Sequence, residues 1–339
     1  MNNLTLRIAL LLLLFCQCHW QNEALCRDRN DSARPKIGLV LGGGGAKGAA
    51  EVGVLKYIEK AGIDIDYIAG TSIGAIIGGL YACGYRSQQL DSMFREQDWL
   101  TLLSDRNEAV KHRMVSKRDG VTYFFGFPVG RRGSKLADKS VGLMRGDHVV
   151  ALLDSMLARP DSISFDSLPI PFRCVATDYR ERRRVVLSSG ILSRCLRASM
   201  AIPGVFKAVD IDGVELLDGG LTDNLPVDVV KEMGADIVIA IDLTQNKHEK
   251  EDSERRQKRK FMKNAKTYMG RLMRWVVQRP DVVRYKENLK MVDIYINPKL
   301  KGYGAGSFTP KKLAKMITLG EKAGEKAYRK LKKLRRETQ

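Results

Sequence analysis

From residue 36 onward, short apolar runs alternate with amphipathic stretches. Residues 36–41, Lys-Ile-Gly-Leu-Val-Leu, end at a cluster of glycines and read as a buried strand. Beyond the glycines, Val52, Leu55, Tyr57 and Ile58 form an apolar periodic stretch that reads as a helix. Residues 67–70 predict a second strand and residues 71–81 a second helix. Strands that alternate with helices imply a mostly parallel sheet with helices on both faces, a three-layer α/β/α sandwich. Residues 86–165 are less regular. Glycine-rich turns at 126–133 predict a surface loop, and residues 147–157 a helix. Strands are expected again at 172–177, 184–187, 205–211, 214–217, 236–243 and 291–296, followed by a long basic helix at 310–336. No internal repeat is visible.

The pattern differs at the N-terminus. Arg7 precedes an unbroken apolar run, residues 8–15. That is too short to span a bilayer as a helix and matches the apolar region of a signal peptide. Cys16 and Cys18 are small enough for the positions that a signal peptidase reads, so a signal peptide of residues 1–18 is expected. A lipoprotein needs a small residue before the modified Cys, whereas Phe15 and Gln17 precede these two; an uncleaved anchor is the other alternative. Each reading takes the chain out of the cytoplasm, to the periplasm, the cell envelope or the medium. Residues 19–35 then form a polar leader, and residues 36–245 the main α/β core.

Residues 246–290 read as a basic insertion. A charge run at 247–260 leads into Phe261, Ala265, Tyr268, Met269, Leu272, Met273 and Val276 at helical spacing, with Lys263, Lys266, Arg271 and Arg274 between them. Such a helix packs on a sheet or dips into lipid headgroups. Residues 291–339 supply the last strand and the basic C-terminal helix.

Composition narrows the picture. With 44% hydrophobic and 29% charged residues, the chain is not disordered as a whole. Its net charge of +19 is uneven: residues 246–339 hold 28 Lys and Arg against 10 Asp and Glu, and residues 1–245 hold 30 against 29. A basic section on a neutral body points to a polyanionic partner, an anionic lipid surface or nucleic acid. Export and the lack of a recognised nucleic-acid module argue against the second. The six cysteines show no disulfide framework, and no Cys/His cluster has metal spacing. No cofactor or metal is implied, and no carboxylate cluster has calcium-loop spacing.

Two glycine motifs carry the candidate chemistry. Gly70-Thr-Ser72-Ile-Gly74 places a serine on a strand-to-helix turn, with small residues on either side and helix N–H groups behind it. Gly43, Gly45 and Gly48 have the spacing of a dinucleotide fingerprint, with Asp64 and Asp66 near a ribose-binding position. The same loop also reads as an oxyanion hole. Ser72 at the next strand end favours the oxyanion reading, because both loops leave the same edge of a parallel sheet. A serine needs a base, and His19, His112, His148 and His248 all sit in unsuitable contexts. The acid candidate is Asp218, at the mouth of a loop in Leu216-Leu-Asp-Gly219-Gly220.

Taken together and in this order, residues 42–48, 70–74 and 218–220 resemble the patatin-like phospholipase family, over roughly residues 36–243 and more loosely 291–325. Residues 198–203 and Asn224-Leu-Pro226 resemble its connecting motifs. The resemblance implies a patatin-like fold and a Ser–Asp dyad, with Ser72 as nucleophile, Asp218 as acid and Gly43, Gly44 and Gly45 as oxyanion loop. Lys47 stands where relatives often carry Arg, and residues 121–135 and 246–290 have no clear counterpart. The expected function is lipid acyl-ester hydrolysis of phospholipase A or lysophospholipase type at an anionic membrane surface, with no nucleic-acid partner. An acyltransferase on the same scaffold and a non-catalytic lipid- or polyanion-binding protein are the alternatives.

Overall fold

A computed structural model describes residues 34–104, 117–118, 121–122, 144–157, 161–244 and 281–338. The expected signal peptide, the 126–133 loop and the 261–276 helix lie outside the described residues. Residues Lys36–Glu337 form one compact unit.

The first crossover shows how the sequence builds the layers. Strand β1, Ile37–Leu41, is wholly buried. Its alternating side chains feed opposite faces of the sheet: Leu39 and Leu41 enter one core cluster and Val40 the other. The glycine loop leads into α1, Ala49–Ala61, which Gly62 ends in the left-handed conformation while its N–H caps Glu59 O. Strand β2, Tyr67–Thr71, follows and pairs in parallel with β1. Helix α2, Ile73–Ala82, is buried throughout, as an apolar helix pressed against a sheet must be.

Two short helices come next, α3 (Ser87–Glu96) and α4 (Trp99–Ser104), within a stretch that reads as irregular in sequence. Leu90, Met93 and Phe94 bury one face of α3, and Trp99 stacks between Phe94 and Phe308. Helix α5 is Asp147–Leu157, as expected. Strand β3, Phe172–Asp178, pairs in parallel with β2, and β4, Arg184–Leu187, turns back antiparallel to it. Helix α6 is Leu192–Ser199, and strands β5 (Val209–Ile211) and β6 (Val214–Asp218) form an antiparallel hairpin. The expected strand at 205–211 starts only at Val209. The amides of Val205 and Phe206 turn back to Ile202 O, and residues 205–207 bond to Met144 instead of the sheet.

The chain closes with α7 (Val227–Glu232), β7 (Ile237–Ile241), α8 (Val282–Lys290), β8 (Ile294–Ile296) and α9 (Pro310–Glu337). The eight-stranded sheet runs β8-β7-β1-β2-β3-β6-β5, with β4 also on β3. Strands β8, β7, β1, β2 and β3 are mutually parallel. Helices α1, α2 and α9 cover one face, and α7 and α8 the other, so the fold is the expected α/β/α sandwich. Helix α9 lies directly on α1, where Gly53 and Gly320 leave no side chain between the backbones.

Helix α8 sits inside the stretch read as an insertion, yet Tyr285 and Asn288 are buried. Asn288 reaches Asp223 Oδ1 and Leu225 O, and Arg184 bonds the other oxygen of Asp223 at 2.7 Å. Asp223 is fully buried, so Arg184 is its main charge partner. Arg184→Met should cost about 3–5 kcal/mol by strapping an uncompensated carboxylate into the interior. Urea denaturation measures this, and a loss below about 1 kcal/mol would contradict it.

Candidate active site

The register of three strands brings the sequence candidates together. Thr71, the last residue of β2, pairs with Val175 of β3, and Asp218, the last of β6, pairs with Ala176. Ser72 and Asp218 therefore meet across β3, approached from opposite directions. Ser72 Oγ donates to Asp218 Oδ2 at 2.7 Å. Both side chains are nearly buried, 5% and 7% exposed, at the floor of a cleft of about 230 Å³.

Ser72 stands at φ 56°, ψ −124°, a left-handed conformation that a residue with a Cβ adopts at a cost of about 1–3 kcal/mol. The surroundings hold it there. Its N–H donates to Ser199 Oγ at 2.8 Å, and Ser199 in turn donates to Val175 O at 2.6 Å. Thr71 Oγ1 donates to Asp223 O. The turn closes because Gly70 presents no side chain to the backbone of Gly74 and Ala75, and Gly74 none to the backbone of Leu41 and Gly42.

Asp218 is fixed as firmly. Its N–H donates to Ala201 O, Thr177 Oγ1 donates to its carbonyl, and Gly220 N–H donates to Oδ1 at 2.8 Å. Burial pushes its carboxyl up to about 6, against the hydrogen bonds from Ser72 and Gly220, which pull it down. At neutral pH it is still mostly ionised, and it is a stronger base than an exposed Asp. Ile202, Pro203 and Leu221 line the cleft. Ile73 and Ile76 belong to the core instead.

The glycine loop forms the facing wall, with Gly43, Gly44 and Gly45 all on the cleft. Their amides are not equivalent. Gly43 N–H is spent on Asn224 O at 3.2 Å, whereas those of Gly44 and Gly45 donate to no protein group among the described residues. Gly48 sits deeper, facing Ile73 and Ile77, and Gly219 lies against the backbone of Val175. The dinucleotide reading does not fit this geometry. Asp66 bonds Lys36 Nζ and Ile37 N at the start of β1, the opposite end of the strand from the glycine loop. His148 is the one histidine among the described residues, and its ring contacts Thr101 O. Among the described residues, no group of three or more His, Cys, Asp or Glu could hold a metal ion.

Asn224 is a site residue whose place the sequence did not reveal. It read only as part of a connecting motif, but it lines the cleft and binds Gly43 twice, through its own carbonyl and through Nδ2 to Gly43 O at 3.2 Å. Ser199 is the other; only the folded register brings it under the serine turn.

The patatin-like phospholipase family matches residues 39–231, a span that holds the glycine loop, the serine turn and Asp218. The chain belongs to this family. Relatives include uncharacterised NTE family proteins of Mycobacterium tuberculosis and Mycobacterium bovis, 33% identical over 215 residues, 62% of this chain and 50% of theirs. The lysophospholipase nte1 of Emericella nidulans is 36% identical over 207 residues, 61% of this chain but 12% of its own length. This chain thus spans about half of the mycobacterial relatives and a small part of the fungal one. VipD from Legionella pneumophila shares the fold at a TM-score of 0.50 and 14% identity, over 88% of this chain and 67% of that one.

Ser199→Ala should remove the acceptor of the buried Ser72 N–H and the hydroxyl that donates to Val175 O, and cost about 1–3 kcal/mol. Chemical denaturation beside wild type checks this; an unchanged midpoint would contradict it.

Proposed function

We propose that this patatin-like protein hydrolyses acyl esters of lipids, as a phospholipase A or lysophospholipase, with Ser72 as nucleophile and Asp218 as base. The observation that carries the reading is the 2.7 Å hydrogen bond between Ser72 Oγ and Asp218 Oδ2, in a cleft whose opposite wall carries two amides with no partner among the described residues. Asp218 takes the serine proton as Oγ attacks the acyl carbon. The negative charge on the former carbonyl oxygen falls to Gly44 N–H and Gly45 N–H, with Gly43 holding the loop rather than donating. Such donors contribute about 10²–10³ each to turnover where they have been removed one at a time. Asp218 then gives its proton to the departing alcohol, leaving an acyl-enzyme that water hydrolyses. The lysophospholipase name of the fungal relative supports the substrate class.

An anionic lipid surface is the proposed setting. Lys299, Lys301, Lys311, Lys312 and Lys315 are exposed in the stretch of chain that carries Ala305, which lines the cleft. Anionic headgroups attract a basic surface of this kind, worth about 1 kcal/mol per side chain. The apolar run at residues 8–15 supports a location outside the cytoplasm.

Fatty-acid release from lysophospholipid and from phospholipid vesicles, followed against pH, tests the reading. Activity depends on the ionised form of Asp218, so it should be lost as pH falls through about 6 and level off above that. Ser72→Ala should release no fatty acid at any pH. Release by that variant at the wild-type rate, or a wild-type midpoint near 4, where an ordinary Asp titrates, would contradict the assignment.

A further inference from the structure

Asn224 does more than clamp the glycine loop. Its carboxamide can be oriented without ambiguity. Gly43 O can only accept a hydrogen bond, so the nitrogen must face it, with Thr244 Oγ1 at 3.4 Å as a second partner. This turns Oδ1 the other way. Among the described residues Oδ1 accepts no hydrogen bond, and Asn224 is half-buried on the cleft wall.

The glycines locate that oxygen. A Cβ on Gly43 would collide with Asn224 Oδ1, and the same Cβ would lie 3.3 Å from the Cβ of Ser72. A Cβ on Gly220 would lie 2.6 Å from Asn224 Oδ1 and 3.0 Å from Asp218 Oδ1. Asn224 Oδ1 therefore borders the serine on one side and converges with the catalytic carboxylate on the other. A free acceptor beside a base, in a cleft open to solvent, is the arrangement that fixes a water by two donated hydrogen bonds.

We propose that Asn224 Oδ1 holds the water that deacylates Ser72, which makes it a further catalytic residue; this rests on the Ser72–Asp218 reading. After the first half-reaction Asp218 is a carboxylate again. The held water donates one hydrogen to Asn224 Oδ1 and the other to Asp218. Its oxygen attacks the acyl carbon as Asp218 takes the second proton, and the carbonyl becomes an oxyanion facing Gly44 and Gly45. Collapse breaks the bond to Ser72 Oγ, which recovers the proton from Asp218, and the free fatty acid departs. Acceptor choice, water against an alcohol, is then set at Asn224. The amide oxygen accepts from water without competing for the proton, as a second carboxylate would.

The alternative role, a clamp alone, is distinguishable because the oxyanion loop serves both half-reactions and the water serves only one. The experiment compares wild type with Asn224→Ala in two assays: labelling by a fluorophosphonate probe, which needs no water, and hydrolysis of p-nitrophenyl butyrate by stopped flow. The variant should label within about tenfold of wild type, while steady-state hydrolysis falls about 100-fold. It should also show a burst of about one equivalent of nitrophenol, with a butyryl group found on Ser72 by mass spectrometry. Equal losses of labelling and hydrolysis, or unimpaired hydrolysis, overturn the proposal. Asn224→Ser, which keeps a hydroxyl at the clamp, is read by the same ratio if the alanine variant does not fold. Wild type that neither labels nor hydrolyses overturns the Ser–Asp reading itself, and this proposal with it.

Discussion

Asp218 is a carboxylate that the fold nearly buries at the floor of the cleft, and the cleft is organised around that constraint. Desolvation alone would neutralise the group and end its use as a base at neutral pH. Two hydrogen bonds, from Ser72 and from Gly220, hold it near 6. The balance matters because an exposed Asp would be too weak a base for a hydroxyl, and an unsupported buried one would already be protonated. Among the described residues no imidazole lies beside the serine, and in the proposed mechanism this balance takes over the proton-accepting work that a histidine does in a triad.

That constraint propagates outward in layers. Asp218 lies opposite Ser72 only because β6 runs antiparallel to β3 while β2 runs parallel to it. The loop after Asp218 must then return across the cleft floor, and it does so by burying Asp223. Arg184 and Asn288 satisfy that buried acid, which ties the loop to β4 and to α8. Asn224, one residue on, couples the same loop to the glycine wall. Acid, serine turn and glycine loop are thus joined through one short segment.

The parts legible in the sequence are those encoded locally. Strands β1 and β2 are continuous apolar runs stopped by glycine, and the serine turn and Asp218 follow directly from such stops. The parts that were not legible depend on contacts distant in sequence. Ser199 meets Ser72 across 127 residues, and Asn224 meets Gly43 across 181. The three glycines of the loop look alike in sequence, yet the amide of Gly43 is already spent on Asn224. Helix α8 was hidden because it is short and rich in charge, and its buried face rests on Tyr285 and on an asparagine, which no apolar period reports. Strand β5 is shorter than its composition implies, because a local turn at Ile202 takes the amides that a ladder would have used.

The central claim is that Ser72 is activated by Asp218. It is tested most directly by exposing folded wild type, Ser72→Ala and Asp218→Asn to a fluorophosphonate probe at neutral pH and mapping the modified residue by mass spectrometry. The account predicts one modified residue, Ser72, in wild type, and no labelling of either variant. Labelling of Asp218→Asn at the wild-type rate, or an unlabelled wild type, would contradict it.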